Sequence, residues 1–598
     1  MDKVAVIDFG SQYAHLIANR LRRRGVYSEV VLPDTPSEKL AKYKGLILSG
    51  GPNSVYEHGA PTISPRIFLL GIPILGICYG HHLIAHLLGG KVETGKTKEY
   101  GIAKLSVLKK IGIFDGIRDH TQVWMSHGDT VLKLPSGFVA LAKTPDCPIA
   151  AAADPAKRIF SIQFHAEVAH TAEGMKMLDN FLNICRVKRE WSIEKFLEQK
   201  IQQIRYFAGD KKIFMLVSGG VDSTVAYVFL AKVLGQDRIY GLFIDTGFLR
   251  KDEAKKIVSV FKKARIKNFH ALNAKRRFVS ALAGVINPEE KRKIIGDMFL
   301  TMQAEAARKL KLNPDQWILG QGTIYPDTIE SAGTKHADKI KTHHNRVPEI
   351  LELIRKGRII EPLADLYKDE VRALGSRLGL PDKIVWKHPF PGPGLAVRIL
   401  CAAEAYLPKN VSAEEDAITQ YLVQHGLKGK ILPIQSVGVQ GDNRTYFNPL
   451  VVWGDKADFS DLENISTALT NRFFMINRVC FLLSPSKIEN AKIIPSTLTE
   501  KRIKLAQELD DIVMKFIEKN RIEREIWQFP TILVPLSING VKSEAVVLRP
   551  VCSEEAMTAN FYKMNIGLLK KLTKKLTPKV SAVLFDITNK PPGTIEWE

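Results

Sequence analysis

The chain has 598 residues, 45% of them hydrophobic and 25% charged, which excludes a fibrous or disordered protein and exceeds the roughly 250 to 300 residues that one core can serve. Its 86 Lys+Arg against 63 Asp+Glu leave a formal charge of +23, a field that gathers anions, nucleotides and RNA alike. Six scattered cysteines without a CxxC pair give no sign of a zinc site or disulfide framework and suit a reducing compartment, and no apolar run reaches the about 18 residues of a bilayer span; a cytoplasmic protein without a membrane partner is expected.

The opening "MDKVAVIDFG" reads as a strand into a turn, not a signal peptide. Apolar strands follow at 4–9, 46–49, 72–77 and 159–164, alternating with helical patterns, so the first region, 1–188, is expected to be α/β with a largely parallel sheet. In "PILGICYGHHLIAHLLGG" (73–90), Cys78 stands between a buried strand and an amphipathic helix, with Gly76 and Gly80 on either side. Small flanking residues permit the sharp turn that lifts a nucleophile into a cleft, and the helix N-terminus favours a thiolate. In "IFSIQFHAEV" (159–168), His165 and Glu167 are two residues apart, which in extended chain puts them on one face, so Glu167 can orient His165 as a base toward Cys78. "LILSGGPNS" (46–54) ends a strand in Gly50-Gly51, whose amides can face a developing oxyanion.

These three elements, in order and spacing, resemble the class I glutamine amidotransferases, whose Cys-His-Glu triad hydrolyses glutamine through a thioester. The resemblance implies Cys78 as nucleophile, His165 as base, Glu167 as orienter, and the amides of Gly51 and Tyr79 as the oxyanion hole. Two positions depart from the family: His82 stands where glutamine is usual, and Ala166 where proline would constrain the turn.

The charged run "CRVKRE" (185–190) marks the first boundary, and a second α/β region, 189–394, follows with strands at 212–217, 239–244 and 317–320 and a helix at 252–264. Between the first of these strands and the next helix lies "MLVSGGVDST" (215–224), a phosphate-cradling arrangement that lacks the lysine of a GxxxxGK[ST] loop. Ser218, Gly219, Gly220, Val221, Asp222 and Ser223 resemble the SGGxDS signature of the PP-loop ATP pyrophosphatases. The resemblance implies that backbone amides and the two hydroxyls hold the β- and γ-phosphates of ATP as leaving pyrophosphate, and that Asp222 helps hold Mg²⁺. The next strand ends near Asp245, at the carboxyl edge where ligands of open sheets collect.

The cluster "HPFPGPGL" (388–395) closes that region, and 395–598 is expected to be an α+β unit, with strands at 545–548 and 581–586 and no internal repeat. "GQGTIYPDTIES" (320–331), "IKTHHN" (340–345), "SVGVQGDNRTY" (436–446) and "DITNKPPGTIEWE" (586–598) complete a resemblance along the whole chain to the glutamine-hydrolysing guanosine monophosphate synthetases. The resemblance implies that ATP adenylates xanthosine monophosphate (XMP), that ammonia displaces AMP, and that Lys341 belongs to a lid. It further implies Arg292, Pro393, Gly394, Asp442, Arg444, Lys590 and Glu596 as XMP contacts, and a C-terminal domain of the dimerisation type, hence a homodimer. Nucleic acid is not required. A tRNA-modifying PP-loop enzyme and a non-catalytic protein with a decayed glutaminase are the alternatives; the missing CxxC pair and the ammonia-making region speak against the first.

Overall fold

The computed structural model describes residues 1–11, 13–263, 266–332, 352–353, 355–408, 411–440, 443–454, 458–473, 475–553 and 559–598. The chain forms two compact units. One runs from Met1 to Gln202 and includes the helix Tyr325–Ala332, and the other holds Gln203 to Ile324 with what is described after residue 351.

The first unit is built on a nine-stranded sheet: β1 (Lys3–Ile7), β2 (Tyr27–Val31), β3 (Gly45–Leu48), β4 (Ile74–Ile77), β5 (Lys91–Val107), β6 (His120–Lys133), β7 (Val139–Lys143), β8 (Ala151–Asp154) and β9 (Ile159–Ile162), in the order β2-β1-β3-β4-β9-β8-β7-β5-β6. The strands from β2 to β9 along this order are parallel, and β3, β4 and β9 are buried at every position, as covered parallel strands must be. From β9 outward the pairing turns antiparallel. This arm is a feature that the expected parallel sheet lacked; β6 alternates buried and less buried residues, the mark of a sheet packed on one face.

The second unit contains a parallel sheet ordered β12-β11-β10-β13-β14, made of β10 (Lys212–Leu216), β11 (Ile239–Asp245), β12 (Phe269–Asn273), β13 (Trp317–Gly320) and β14 (Ile359–Ile360). It also contains a mixed sheet ordered β15-β17-β18-β25-β22-β20, from β15 (Lys428–Ile431), β17 (Asn443–Trp453), β18 (Ile476–Ser484), β20 (Thr531–Val534), β22 (Ala545–Leu548) and β25 (Val583–Asp586), with β16 (Ser436–Gln440) paired to β17. Two short pairs, β19 (Ala491–Ile493) with β21 (Leu536–Ile538) and β23 (Val551–Cys552) with β24 (Asn560–Phe561), flank it. One apolar core runs from Phe214 and Leu242 through Leu395 to Val583 and Phe585, which is why the parallel sheet and the mixed sheet belong to one compact body.

Candidate active sites

Cys78 sits between β4 and helix α1 (Tyr79–Leu87) with φ 55 and ψ −106, a strained conformation for a residue with a side chain. The fold tolerates it because the neighbours are glycines: a Cβ on Gly76 would strike the Gly80 carbonyl, and one on Gly80 would strike that of Leu48. Cys78 is 7% exposed and its Sγ lies 3.6 Å from the Ser126 carbonyl. His165 follows the end of β9. Its Nδ1 is 2.7 Å from Glu167 Oε1, and it shares a side-chain hydrogen bond with Cys78.

Both members of the His165–Glu167 pair are buried. Burial opposes charge on the imidazole, but the Glu167 carboxylate and the adjoining Cys78 side chain outweigh it and hold His165 well above the ordinary histidine range. The resting imidazole is therefore protonated. Its stabilisation is fully present below the unfolded histidine value near ~6.5 and is lost as pH rises through the raised folded value. Two residues that sequence reasoning missed fix the geometry: the Tyr13 ring packs against His165 at 4.6 Å, and Arg20 Nε donates to the Glu167 carbonyl at 3.0 Å. In Glu167→Gln, burial wins, so the alkaline limit of glutamine hydrolysis should move to lower pH and its kcat should fall about 10²- to 10⁴-fold. The check is a pH–rate profile with ammonium-driven synthesis as control; an unmoved alkaline limb would refute the orienting role.

The Gly50-Gly51 turn and Tyr79 lie close together. Tyr79 opens α1, so its amide has no acceptor within the helix. A Cβ on Gly51 would lie 3.2 Å from the Tyr79 ring and one on Gly50 would lie 3.4 Å from His165 Cε1, so the Gly50-Gly51 turn borders both residues. His82 turns into the core, its Nε2 2.6 Å from Gln163 Oε1, and burial pushes it down to about 4, so it is neutral. Ala166 is buried, with its carbonyl against Gly174.

In the second unit, residues 218–220 leave β10 and lead into helix α2 (Val221–Leu234). Gly219 takes φ +77, where a Cβ would collide with Ile257. Ser218 Oγ lies 3.0 Å from Ser223 Oγ and accepts from the Gly220 amide at 3.3 Å. The cations absent from the loop arrive from far along the chain. Lys368 Nζ donates to both oxygens of Asp222, at 2.7 and 2.5 Å, and Lys387 Nζ donates to the Gly219 carbonyl at 3.0 Å while pairing with Glu253. The Gly320–Thr323 stretch borders the same loop, since a Cβ on Gly322 would lie 2.9 Å from Ser223 Cα.

The proposed XMP residues divide into groups. Pro393 and Gly394 follow β11 in space: Gly394 has φ +66, a Cβ there would strike the Phe248 carbonyl, and Leu395 N donates to that carbonyl at 2.7 Å. Arg292, on helix α3 (Pro288–Leu310), pairs with Glu289 at 3.4 Å and donates to the Glu598 carbonyl. Glu596 is clamped by Arg398, at 2.9 and 2.7 Å, and by Gln528 at 2.9 Å. Lys590 is held by backbone pairing with Ala559, and burial and Arg549 lower its pKa. The backbone of Arg444 lies in β17 opposite Val439; its side chain, all of Asp442 and Lys341, expected in a lid, lie outside the described residues.

Segment 587–598 is a packed element. Trp597 is fully buried and donates to Asp586 at 2.9 Å, and Val437 N and Val439 N donate to the Trp597 and Pro592 carbonyls at 3.0 and 2.7 Å, laying the segment along β16. Beneath it, Arg478 and Arg549 converge on Asp586 at 3.0 and 2.8 Å, all three with fully buried side chains.

Family models agree with this arrangement: that for class-I glutamine amidotransferase matches residues 5–185, that for NAD synthase residues 191–291, and that for the GMP synthase C terminal domain residues 515–597. The chain is 49% identical over 606 residues to a probable glutamine-hydrolyzing GMP synthase of Leptospira interrogans, covering 100% of this chain and 99% of that one. It is 38% identical to the Lactobacillus gasseri GMP synthase, covering 100% and 98%. The Clostridium tetani GMP synthase, 44% identical, is matched over 99% of its own length but spans only 81% of this chain. Similarity of this degree, running end to end through both the thiol elbow and the phosphate loop, shows that the chain belongs to the glutamine-hydrolysing GMP synthase family.

Proposed function

We propose that the chain makes GMP from XMP with glutamine as nitrogen donor, and that its regions 1–188, 189–394 and 395–598 are glutaminase, ATP pyrophosphatase and XMP-binding domain. The observation that carries this reading is one chain holding both an assembled Cys78–His165–Glu167 triad and a lysine-flanked SGGVDS loop. The Cys78 thiolate attacks the glutamine carboxamide carbon, and the Gly51 and Tyr79 amides receive the oxyanion. As the C–N bond breaks, the imidazolium of His165 protonates the departing nitrogen, which leaves as ammonia, and water then releases glutamate from the thioester with His165 as base.

In the second unit, the XMP C2 oxygen attacks the ATP α-phosphorus and the α–β bond breaks. Pyrophosphate leaves into the loop amides and the Ser218 and Ser223 hydroxyls, with Lys368 and Lys387 offsetting its charge. Ammonia then attacks C2, and AMP leaves with the oxygen. For Mg²⁺ the site offers the Asp222 carboxylate beside the phosphate loop, the donor set that this ion prefers; bound there, it neutralises phosphate charge. Lys368 donates to both oxygens of that carboxylate, so the lysine and the ion would share it. Free cysteines throughout support a cytoplasmic setting, and among the described residues no helix is long and apolar enough to cross a membrane.

The test is production of GMP, AMP and pyrophosphate from ATP, Mg²⁺ and XMP, with glutamine or ammonium as donor; no GMP even from ammonium would sink the reading. A second expectation concerns the remote cations. Lys368→Met should slow ammonium-driven GMP formation at least about tenfold, the order of one lost charge-assisted phosphate contact, and leave glutamine binding to the first unit unchanged. Unchanged ammonium-driven turnover would remove Lys368 from the pyrophosphate site.

A further inference from the structure

A row of largely buried charges of alternating sign runs through the second unit, from the phosphate loop to the C-terminal segment. At one end Lys387 Nζ donates to the Gly219 carbonyl at 3.0 Å and pairs with Glu253. Glu253 opens the helix Glu253–Lys263, and its Oε2 accepts from the Arg250 amide at 2.9 Å. The Arg250 side chain faces Asp510, on the helix Glu500–Lys519, with Nε 3.4 Å from Oδ2. Beyond Asp510 lies Arg398, whose Nε and Nη2 clamp Glu596 at 2.9 and 2.7 Å at the other end of the row. The Phe390 ring centroid is 4.9 Å from each guanidinium, so one ring supports both cations.

The links are unequal. The end pairs Lys387–Glu253 and Arg398–Glu596 are closed, but the middle is slack. Arg398 Nη1 and Asp510 Oδ1 stand 4.0 Å apart on side chains that are 0% and 1% exposed, and neither atom has a hydrogen-bond partner among the described residues. Arg250 Nε and Nη2 are unpartnered too. Buried polar atoms are seldom left so, because each has given up its hydration for nothing. The charge states agree with this division. Burial opposes ionisation of each group. Lys387, with Arg250 behind it, outweighs burial at Glu253 and holds that carboxyl below its usual range; Glu596 outweighs it at Arg398 and raises the guanidinium. At Asp510 burial prevails over Arg250 and Arg398, and the carboxyl stands above its usual value. The row is closed in one pairing, with the unmade partners of a second pairing side by side.

We propose that this row is a relay between the two nucleotide ends of the second unit, and that its pairing shifts by one place when the pyrophosphate end of ATP takes Lys387. Glu253 then passes to Arg250 and Asp510 closes on Arg398. Glu596, retained by Gln528, is released as an acceptor for the hydroxyl and N–H groups of XMP. The shift is forced because a buried charge stripped of its partner carries a large penalty. Alternation fixes its sign: an anion arriving at one end frees an anion at the other. ATP and XMP therefore favour each other's binding, by one factor in both directions. Glu253, Arg250 and Asp510 are positioning residues, and the relay rests on the roles of Lys387 and Glu596 in the function proposed above.

Titration calorimetry of XMP into the intact chain tests this, with Mg²⁺ alone and with Mg²⁺ plus saturating α,β-methylene ATP, pyrophosphate or AMP. The methylene analogue and pyrophosphate should each tighten XMP at least about fivefold, and AMP, which lacks the β- and γ-phosphates, should not. In Asp510→Asn the tightening should vanish, and in Asp510→Glu, which keeps the anion, it should persist. Undiminished tightening in Asp510→Asn overturns the relay. If that variant does not fold, the contrast between pyrophosphate and AMP in the unaltered chain decides. XMP binding there that ignores pyrophosphate overturns the relay alone, whereas absence of XMP binding under every condition overturns the functional reading and the relay together.

Discussion

Cys78→Ala is expected to lower glutamine-driven GMP formation by more than about 10³-fold and to leave ammonium-driven formation at the level of the unaltered protein. Position suits the thiol to attack: it caps α1 at φ 55, shares a hydrogen bond with His165 and lies against the Ser126 carbonyl. Alanine inherits the backbone strain, so a Cys78→Gly variant, which tolerates positive φ, separates loss of chemistry from loss of fold. Both should behave alike. A parallel fall in the ammonium-driven rate would mean that the elbow supports the second reaction too, and would refute the assignment of Cys78 to glutamine hydrolysis alone.

Asp586→Asn should destabilise the second unit by about 3 to 5 kcal/mol, because removing the anion leaves two buried guanidiniums without compensation. Burial opposes the Asp586 charge, but Arg549 and Arg478 outweigh it and hold the carboxyl below its usual range, with the Thr588 amide and Trp597 indole adding donors. The stabilisation is thus present above the unfolded carboxyl value near ~3.9 and lost as pH falls through the depressed folded value. Since Arg478 also holds the Val437 and Glu596 carbonyls, at 2.8 Å each, the substitution should loosen segment 587–598 and lower GMP formation from both donors. Thermal unfolding measured at neutral and mildly acid pH tests this. A melting temperature equal to that of the unaltered protein at neutral pH would show that the cluster contributes little.

Several local features were readable because their chemistry and their spacing coincide. Strands β1, β3, β4, β9, β10, β11 and β13 lie within a few residues of their expected places, since buried parallel strands are nearly continuous apolar runs. The arm formed by β5 and β6 escaped notice because its strands interleave Lys, Glu and Thr with apolar residues, a pattern shared with loops.

The sequence by itself determined the pieces whose function depends on neighbours in the chain: a thiol flanked by glycines at a strand–helix junction, a histidine two residues from a glutamate, and a small-residue loop ahead of a helix. Only the tertiary structure decided what those pieces face. Lys368 reaches Asp222 across 146 positions and Lys387 reaches Gly219 across 168, and Phe481 in β18 pairs with Phe585 in β25. No local spacing encodes such meetings. They follow from burying apolar faces against one another, which fixes the backbone first and then leaves each buried charge to find its partner.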